Sequence, residues 1–190
     1  MLTSITVFCG SSIGKNPLFS DQAYKLGAFL ASQNITLIYG GAKVGLMGKV
    51  ADGCIENDGK AIGVIPAFLS SKEIVHDHLT ELIVVDTMHQ RKTKMNDLCD
   101  GVIALPGGFG TMEELFEILT WTQLGIHNKP VAVLNTASYY DKLLDFIAEM
   151  VTAGLLRSEN EELLIHSDNI QELVIKMQNY STPRVTKWIK

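Results

Sequence analysis

The sequence predicts an α/β fold: an open, mostly parallel sheet with helices on both faces. Two observations carry that expectation. Short β-branched apolar runs alternate along the whole chain with longer stretches of helical periodicity, the pattern that right-handed βαβ units leave in a sequence. Glycine clusters follow directly on several of those runs, at the places where an open parallel sheet binds ligands, outside the carboxyl ends of its strands.

Taken in order, the first strand is expected over 4–9, where an apolar run leads into Gly10-Ser11-Ser12. A helix over 17–32 connects it to a second strand at 35–39, which Gly40-Gly41 ends. A helix over 45–57 then leads to strands at 61–65 and 82–86. Beyond these come a helix over 88–98, a strand over 101–105, a helix over 111–125 and a sixth strand over 131–135. Helices over 139–153 and 169–180 close the pattern. Apolar residues there recur at three- and four-residue steps, as in Leu143, Leu144, Ile147, Ala148 and Val151. Residues 1–180 read as one domain, and 181–190, which hold Pro183 and a few basic residues, as a loosely docked tail.

Composition narrows the function classes. A chain of 190 residues with 46% hydrophobic and 19% charged residues has enough material for one packed core and is not disordered. Sixteen basic against 21 acidic residues give a net charge of −5, so no overall positive field exists to hold a nucleic-acid backbone. Small anions remain open to local donors. Cys9, Cys54 and Cys99 are far apart and form no Cys-x-x-Cys pair, which fits a reduced, cytoplasmic setting. The N-terminal residues lack a basic region and read as a strand rather than a leader. No apolar stretch is long enough for a membrane span.

The most informative segment is Pro106-Gly107-Gly108-Phe109-Gly110-Thr111-Met112-Glu113-Glu114. Glycines let backbone approach a ligand, and a helix starting at Thr111 would aim unpaired N–H groups and a positive dipole end at an anion. Thr111 and Glu114 are also spaced as a capping box, although such a box needs no run of glycines before it. The segment from Gly40 to Gly48 fits neither the Gly-x-Gly-x-x-Gly dinucleotide pattern nor a P-loop. It is either a tight strand-to-helix turn or a ligand contact. In Met88-His89-Gln90-Arg91-Lys92, Arg91 offers a bidentate fork and Lys92 a point charge for phosphate or carboxylate. Taken alone, such a basic pair is more often an ordinary solvated surface. His76 and His78 flank Asp77 without metal-site spacing or a third ligand, so no metal is expected. No nucleophile elbow is present.

Together, Gly40-Gly41 with Gly45-Leu46-Met47-Gly48, Met88 to Lys92, and Pro106-Gly107-Gly108-x-Gly110-Thr111-x-x-Glu114 resemble the Lonely Guy (LOG) family. Its members are cytokinin riboside 5′-monophosphate phosphoribohydrolases, many once labelled lysine decarboxylases. The resemblance continues through Thr120 to Pro130 and covers nearly the whole chain. It implies a Rossmann-like fold, a homodimer and no cofactor. By motif, Arg91 and Glu114 match the family's catalytic pair. Glu73, Lys92, Gly108, Phe109, Gly110, Thr111, Met112, Glu113 and Thr120 match its substrate-binding positions. One departure is Ala42, where many members have a third consecutive glycine.

The implied reaction is hydrolysis of the N-glycosidic bond of a purine riboside 5′-monophosphate, to free base and ribose 5-phosphate. The competing expectation is a non-catalytic carrier of a nucleotide-like ligand, such as a molybdenum-cofactor carrier, which needs a phosphate cradle but no Arg91–Glu114 pair. The helix from Thr111 also carries Met112, Leu115, Phe116, Ile118, Leu119, Trp121 and Leu124. That is more apolar surface than one buried stripe uses, and it fits either burial in the layer or a dimer contact.

Overall fold

The computed structural model describes residues 2–70 and 75–182. Seven strands form one sheet: β1 Ser4–Phe8, β2 Thr36–Tyr39, β3 Ala61–Pro66, β4 Glu81–Val85, β5 Gly101–Ala104, β6 Val131–Leu134 and β7 Leu164–Ser167. Their order is β4-β3-β2-β1-β5-β6-β7, and every neighbouring pair is parallel. The helices are α1 Pro17–Ser32, α2 Gly45–Ile55, α3 Ala67–Ser70, α4 Met88–Leu98, α5 Phe109–Gln123, α6 Asp141–Thr152, α7 Ser158–Glu161 and α8 Ile170–Gln178, with a 3-10 turn at Thr136–Ser138 before α6. The six expected strands are all present, each within a residue of its expected bounds. β7 was not expected.

Strand alternation divides the core into two layers. Ile5 and Val7 of β1, with Leu37, Tyr39, Ile103, Ala132 and Leu134, pack against α1, α2 and α8 through Leu26, Leu30, Val50, Ala51, Leu173 and Met177. The opposite face, including Phe8, Ile38, Val64, Val102, Ala104 and Val133, packs against α4, α5 and α6 through Met95, Leu115, Ile118 and Ile147. Both faces of the central strands are therefore covered, and their residues are apolar on both sides, as parallel sheets require. Thr6 is the buried polar residue of β1. Its hydroxyl donates to the Met95 carbonyl of α4 at 3.0 Å.

The chain builds outward from β1 to β4, then returns to lay β5 on the other side of β1. That reversal opens a crevice between the loops after β1 and β5, the usual ligand position in a doubly wound sheet. Gly45 draws the third loop into the same place. Its φ is +62°, and a Cβ there would lie 2.3 Å from the Ser11 carbonyl carbon, so only glycine lets the start of α2 lie against the Gly10–Ser12 loop. The expected tail falls largely at residues 183–190, outside the described residues, as does Glu73.

Candidate active site

The crevice holds a cleft of about 290 Å³. The end of β1 supplies Cys9, Gly10 and Ser11, the loop after β2 and the start of α2 supply Gly40 and Met47, α4 supplies Met88, Arg91 and Met95, and α5 with its preceding turn supplies Gly108, Phe109, Gly110, Thr111, Glu113 and Glu114.

α5 begins two residues earlier than expected, at Phe109, with Gly108 as its N-cap and no side-chain cap bond. The capping box that the Thr111 and Glu114 spacing offered as an alternative reading is not formed, because Thr111 already lies inside the first turn. The leading N–H groups of a helix have no intrahelical acceptor, and here the residues that carry them line the cleft. With the helix dipole behind them they make a site for an anion. A capping box exists instead at α4, where Gln90 N–H donates to the Thr87 hydroxyl at 3.2 Å and Thr87 N–H to the Gln90 side chain at 3.3 Å. It fixes the start of α4 and hence the first-turn placement of Arg91.

Arg91 reaches across the ends of the strands. Its Nε donates to the Val64 carbonyl at 3.0 Å, and its Nη1 lies 3.7 Å from Glu114 Oε1. Both side chains are 11% exposed. Gly40 makes room for this passage, since a Cβ there would sit 2.0 Å from Arg91 Nη2. Burial pushes the Glu114 carboxyl up to about 7, against the opposing pull of Arg91. A carboxyl poised there changes protonation near neutral pH, as a general acid or base must. Cys9 faces the same pair, but burial, reinforced by Glu114, raises its thiol so far that it stays protonated. A protonated thiol is a weak nucleophile.

Lys92 points elsewhere. Its ammonium lies 2.5 Å from Glu113 and 2.8 Å from Glu117, tying α4 to α5. Burial works against this charge, but the two carboxylates outweigh it and raise its pKa. Met112 packs into the core under α4–α6, and Thr120, farther along α5, donates to the Phe116 carbonyl at 2.7 Å. Neither they nor Lys92 line the cleft. Thus Arg91, Glu114, Glu113, Gly108, Phe109, Gly110 and Thr111 converge, and Lys92, Met112 and Thr120 lie outside the cleft. Cys9, Met88 and Met95 line it as well: Met88 headed the noted Met88–Lys92 segment and Cys9 had been read only for its lack of a partner cysteine, whereas Met95 carried no signal in the sequence. Gly10-Ser11 and Met47 lay in noted glycine segments. Among the described residues, no group of three or more His, Cys, Asp or Glu side chains could hold a metal ion.

Residues 47–177 match a family model described as "Possible lysine decarboxylase". A cytokinin riboside 5′-monophosphate phosphoribohydrolase of Arabidopsis thaliana is 44% identical over 183 residues, covering 96% of this chain and 85% of that protein. A probable enzyme of the same description from Oryza sativa subsp. japonica is 46% identical over 178 residues, covering 93% and 72%. Among solved structures, the molybdenum cofactor binding protein of Rippkaea orientalis superposes with a TM-score of 0.70 at 24% identity, covering 94% of this chain and 96% of that one. The molybdenum cofactor carrier protein of Chlamydomonas reinhardtii gives 0.69 at 20%, covering 94% and 97%. These two show the Rossmann-like fold alone. Identity of that extent to the curated plant proteins, together with the matching family model, places the chain in the LOG family of cytokinin riboside 5′-monophosphate phosphoribohydrolases.

Proposed function

We propose that this protein hydrolyses the N-glycosidic bond of a purine riboside 5′-monophosphate, of cytokinin type or adenosine itself, to free base and ribose 5-phosphate. One observation carries the reading: a helix N-terminus with free donors and a buried Arg91–Glu114 pair share a single cleft. The 5′-phosphate sits on the backbone N–H groups at the start of α5. The sugar then lies toward Glu114, whose carboxylate stabilises the oxocarbenium-like state and orients the attacking water. Arg91 anchors the substrate and offsets negative charge on the departing base. All these groups belong to the chain itself, so the reaction as proposed needs no cofactor or metal. Glu73, Lys92, Met112 and Thr120 enter as substrate-side positions by family resemblance alone.

The same reading takes the protein as a cytoplasmic homodimer built from one domain over 1–180. Free, buried Cys9, Cys54 and Cys99 fit a reducing compartment. No helix among the described residues is long and apolar enough to cross a membrane. Phe116, Leu124 and Ile126, on and just after α5, are 37%, 45% and 62% exposed, and a second copy would cover them.

The test is incubation with adenosine monophosphate or its isopentenyl derivative, with chromatography for free base. Wild-type protein should release base, while Glu114→Gln and Arg91→Ala should stay folded and release almost none. Near-wild-type turnover by either variant would sink the mechanism, and binding by the wild type without release would favour a carrier.

A further inference from the structure

The phosphate cradle depends on two glycines in succession, Gly107 and Gly108, whose shared peptide is free to turn either way. Orientation matters for sign. In a planar trans peptide the carbonyl of one residue and the N–H of the next point in opposite directions. With the Gly107 carbonyl held away from the cleft, the Gly108 N–H faces it. With that peptide flipped, a carbonyl oxygen would meet the anion and repel it.

The structure ties down three carbonyls in a row on this turn. The Leu105 carbonyl accepts from the Tyr140 hydroxyl at 2.6 Å, the Pro106 carbonyl from Gly10 N–H at 3.1 Å, and the Gly107 carbonyl from the Tyr139 hydroxyl at 2.5 Å. The two tyrosines arrive together after β6. Ala137 and Ser138 adopt left-handed conformations, with φ of 52° and 60°, to deliver them. Asn135 then braces the segment by accepting from Tyr140 N–H at 2.7 Å and donating to Asp141 at 2.7 Å. Rings of Tyr139 and Tyr140 meet edge-on at 5.1 Å, and Phe19 of α1 meets Tyr139 at 5.5 Å.

We propose that Tyr139 is a positioning residue for phosphate binding: its hydroxyl fixes the Gly107–Gly108 peptide with the N–H toward the cleft. Tyr140 serves as the internal contrast. The carbonyl it holds, that of Leu105, precedes Pro106, which has no N–H to aim. Its hydroxyl therefore contributes to stability without contributing a donor to the ligand. The proposal rests on the phosphate lying at the start of α5, as argued above.

The experiment compares the wild type, Tyr139→Phe and Tyr140→Phe as full chains, by steady-state hydrolysis of adenosine monophosphate and by equilibrium titration with that nucleotide, with inorganic phosphate and with adenosine. A hydrogen bond of ordinary strength corresponds to a roughly 2- to 10-fold rise in KM and in the phosphate Kd for Tyr139→Phe. The kcat should change less than about twofold, and adenosine binding should not change. Tyr140→Phe should melt earlier while keeping the wild-type KM. Equal loss of adenosine and nucleotide binding in Tyr139→Phe, or an unchanged KM, overturns the proposal while leaving the hydrolase reading in place. Nucleotide binding without base release by the wild type overturns the hydrolase reading but leaves the titrations to decide the role of Tyr139. If the wild type neither binds nor cleaves the nucleotide, both fail.

Discussion

Replacing Glu114 by glutamine keeps the side chain's shape and removes its charge, and the change in stability that follows depends on pH. In the unfolded chain this carboxyl titrates near its ordinary 4.5, and in the folded protein burial moves it to about 7. Between those values the folded form holds a proton that the unfolded form has released. The contribution of Glu114 to stability is thus fully present below pH 4.5, declines as pH rises, and is lost above about 7. At about 1.4 kcal/mol per tenfold change in proton affinity, the whole effect is about 3 kcal/mol. Glutamine mimics the protonated acid and does not titrate. The variant should therefore match the wild type near pH 4.5 and exceed it by about 2–3 kcal/mol at pH 8.5, roughly 4–12 °C in melting temperature for a chain of this size.

The assay is urea unfolding of both proteins at several pH values and one protein concentration, since association would otherwise shift the midpoints. The catalytic counterpart is a wild-type rate that rises with pH through about 7, as the carboxylate form of Glu114 accumulates. A stability difference that is the same at every pH, or a glutamine variant weaker than the wild type at pH 8.5, would refute the reasoning.

Two further predictions concern the neighbours of this pair. Lys92→Met strips the counter-charge from Glu113 and Glu117, and both carboxylates then act on Glu114. The pH midpoint of activity should rise, with Lys92→Arg restoring it in part, whereas a raised KM at unchanged midpoint would mean that Lys92 serves the substrate directly. Gly40→Ala would push a methyl against Arg91 Nη2 and against Met47 Sδ, 2.8 Å away. Both are ends of flexible side chains, so stability should fall by only about 1 kcal/mol, while displacing the guanidinium should cut base release about 100-fold. Retention of full activity by the purified variant would show that Arg91 needs no such path.

The sheet was legible because its central strands are apolar on both faces and three strands, β1, β2 and β5, lead into glycines, a pattern that needs no tertiary information. β7 escaped because Leu164-Ile165-His166-Ser167 is four residues long with an exposed histidine, and it becomes a strand only by pairing with β6. The start of α5 escaped for a related reason. Its cap is Gly108, which has no side chain to mark it, whereas the Thr111 and Glu114 spacing imitates a cap that the helix does not use. At the site, the glycines were legible by position, and Arg91 with Glu114 by family resemblance. The ion pairs of Lys92 were not, because they depend on α4 lying against α5. Nor was the bracing by Tyr139 and Tyr140, which reach the glycine turn from beyond β6.

Those two kinds of residue divide the work of the cleft. The cradle is made by backbone where β5 hands over to α5, so it comes with the topology and with the glycines at that turn. A net charge of −5 is no obstacle to it, because the donors act at contact distance and the surface charge is screened within about 8–10 Å. The Arg91–Glu114 pair is made by side chains alone, from two helices that the sheet merely holds side by side. The solved structures at 20% and 24% identity share this fold, and that likeness says nothing about bond cleavage. Binding and chemistry should accordingly separate under mutation: Tyr139→Phe weakens the hold on phosphate and leaves the rate, while Glu114→Gln leaves the hold and removes the rate.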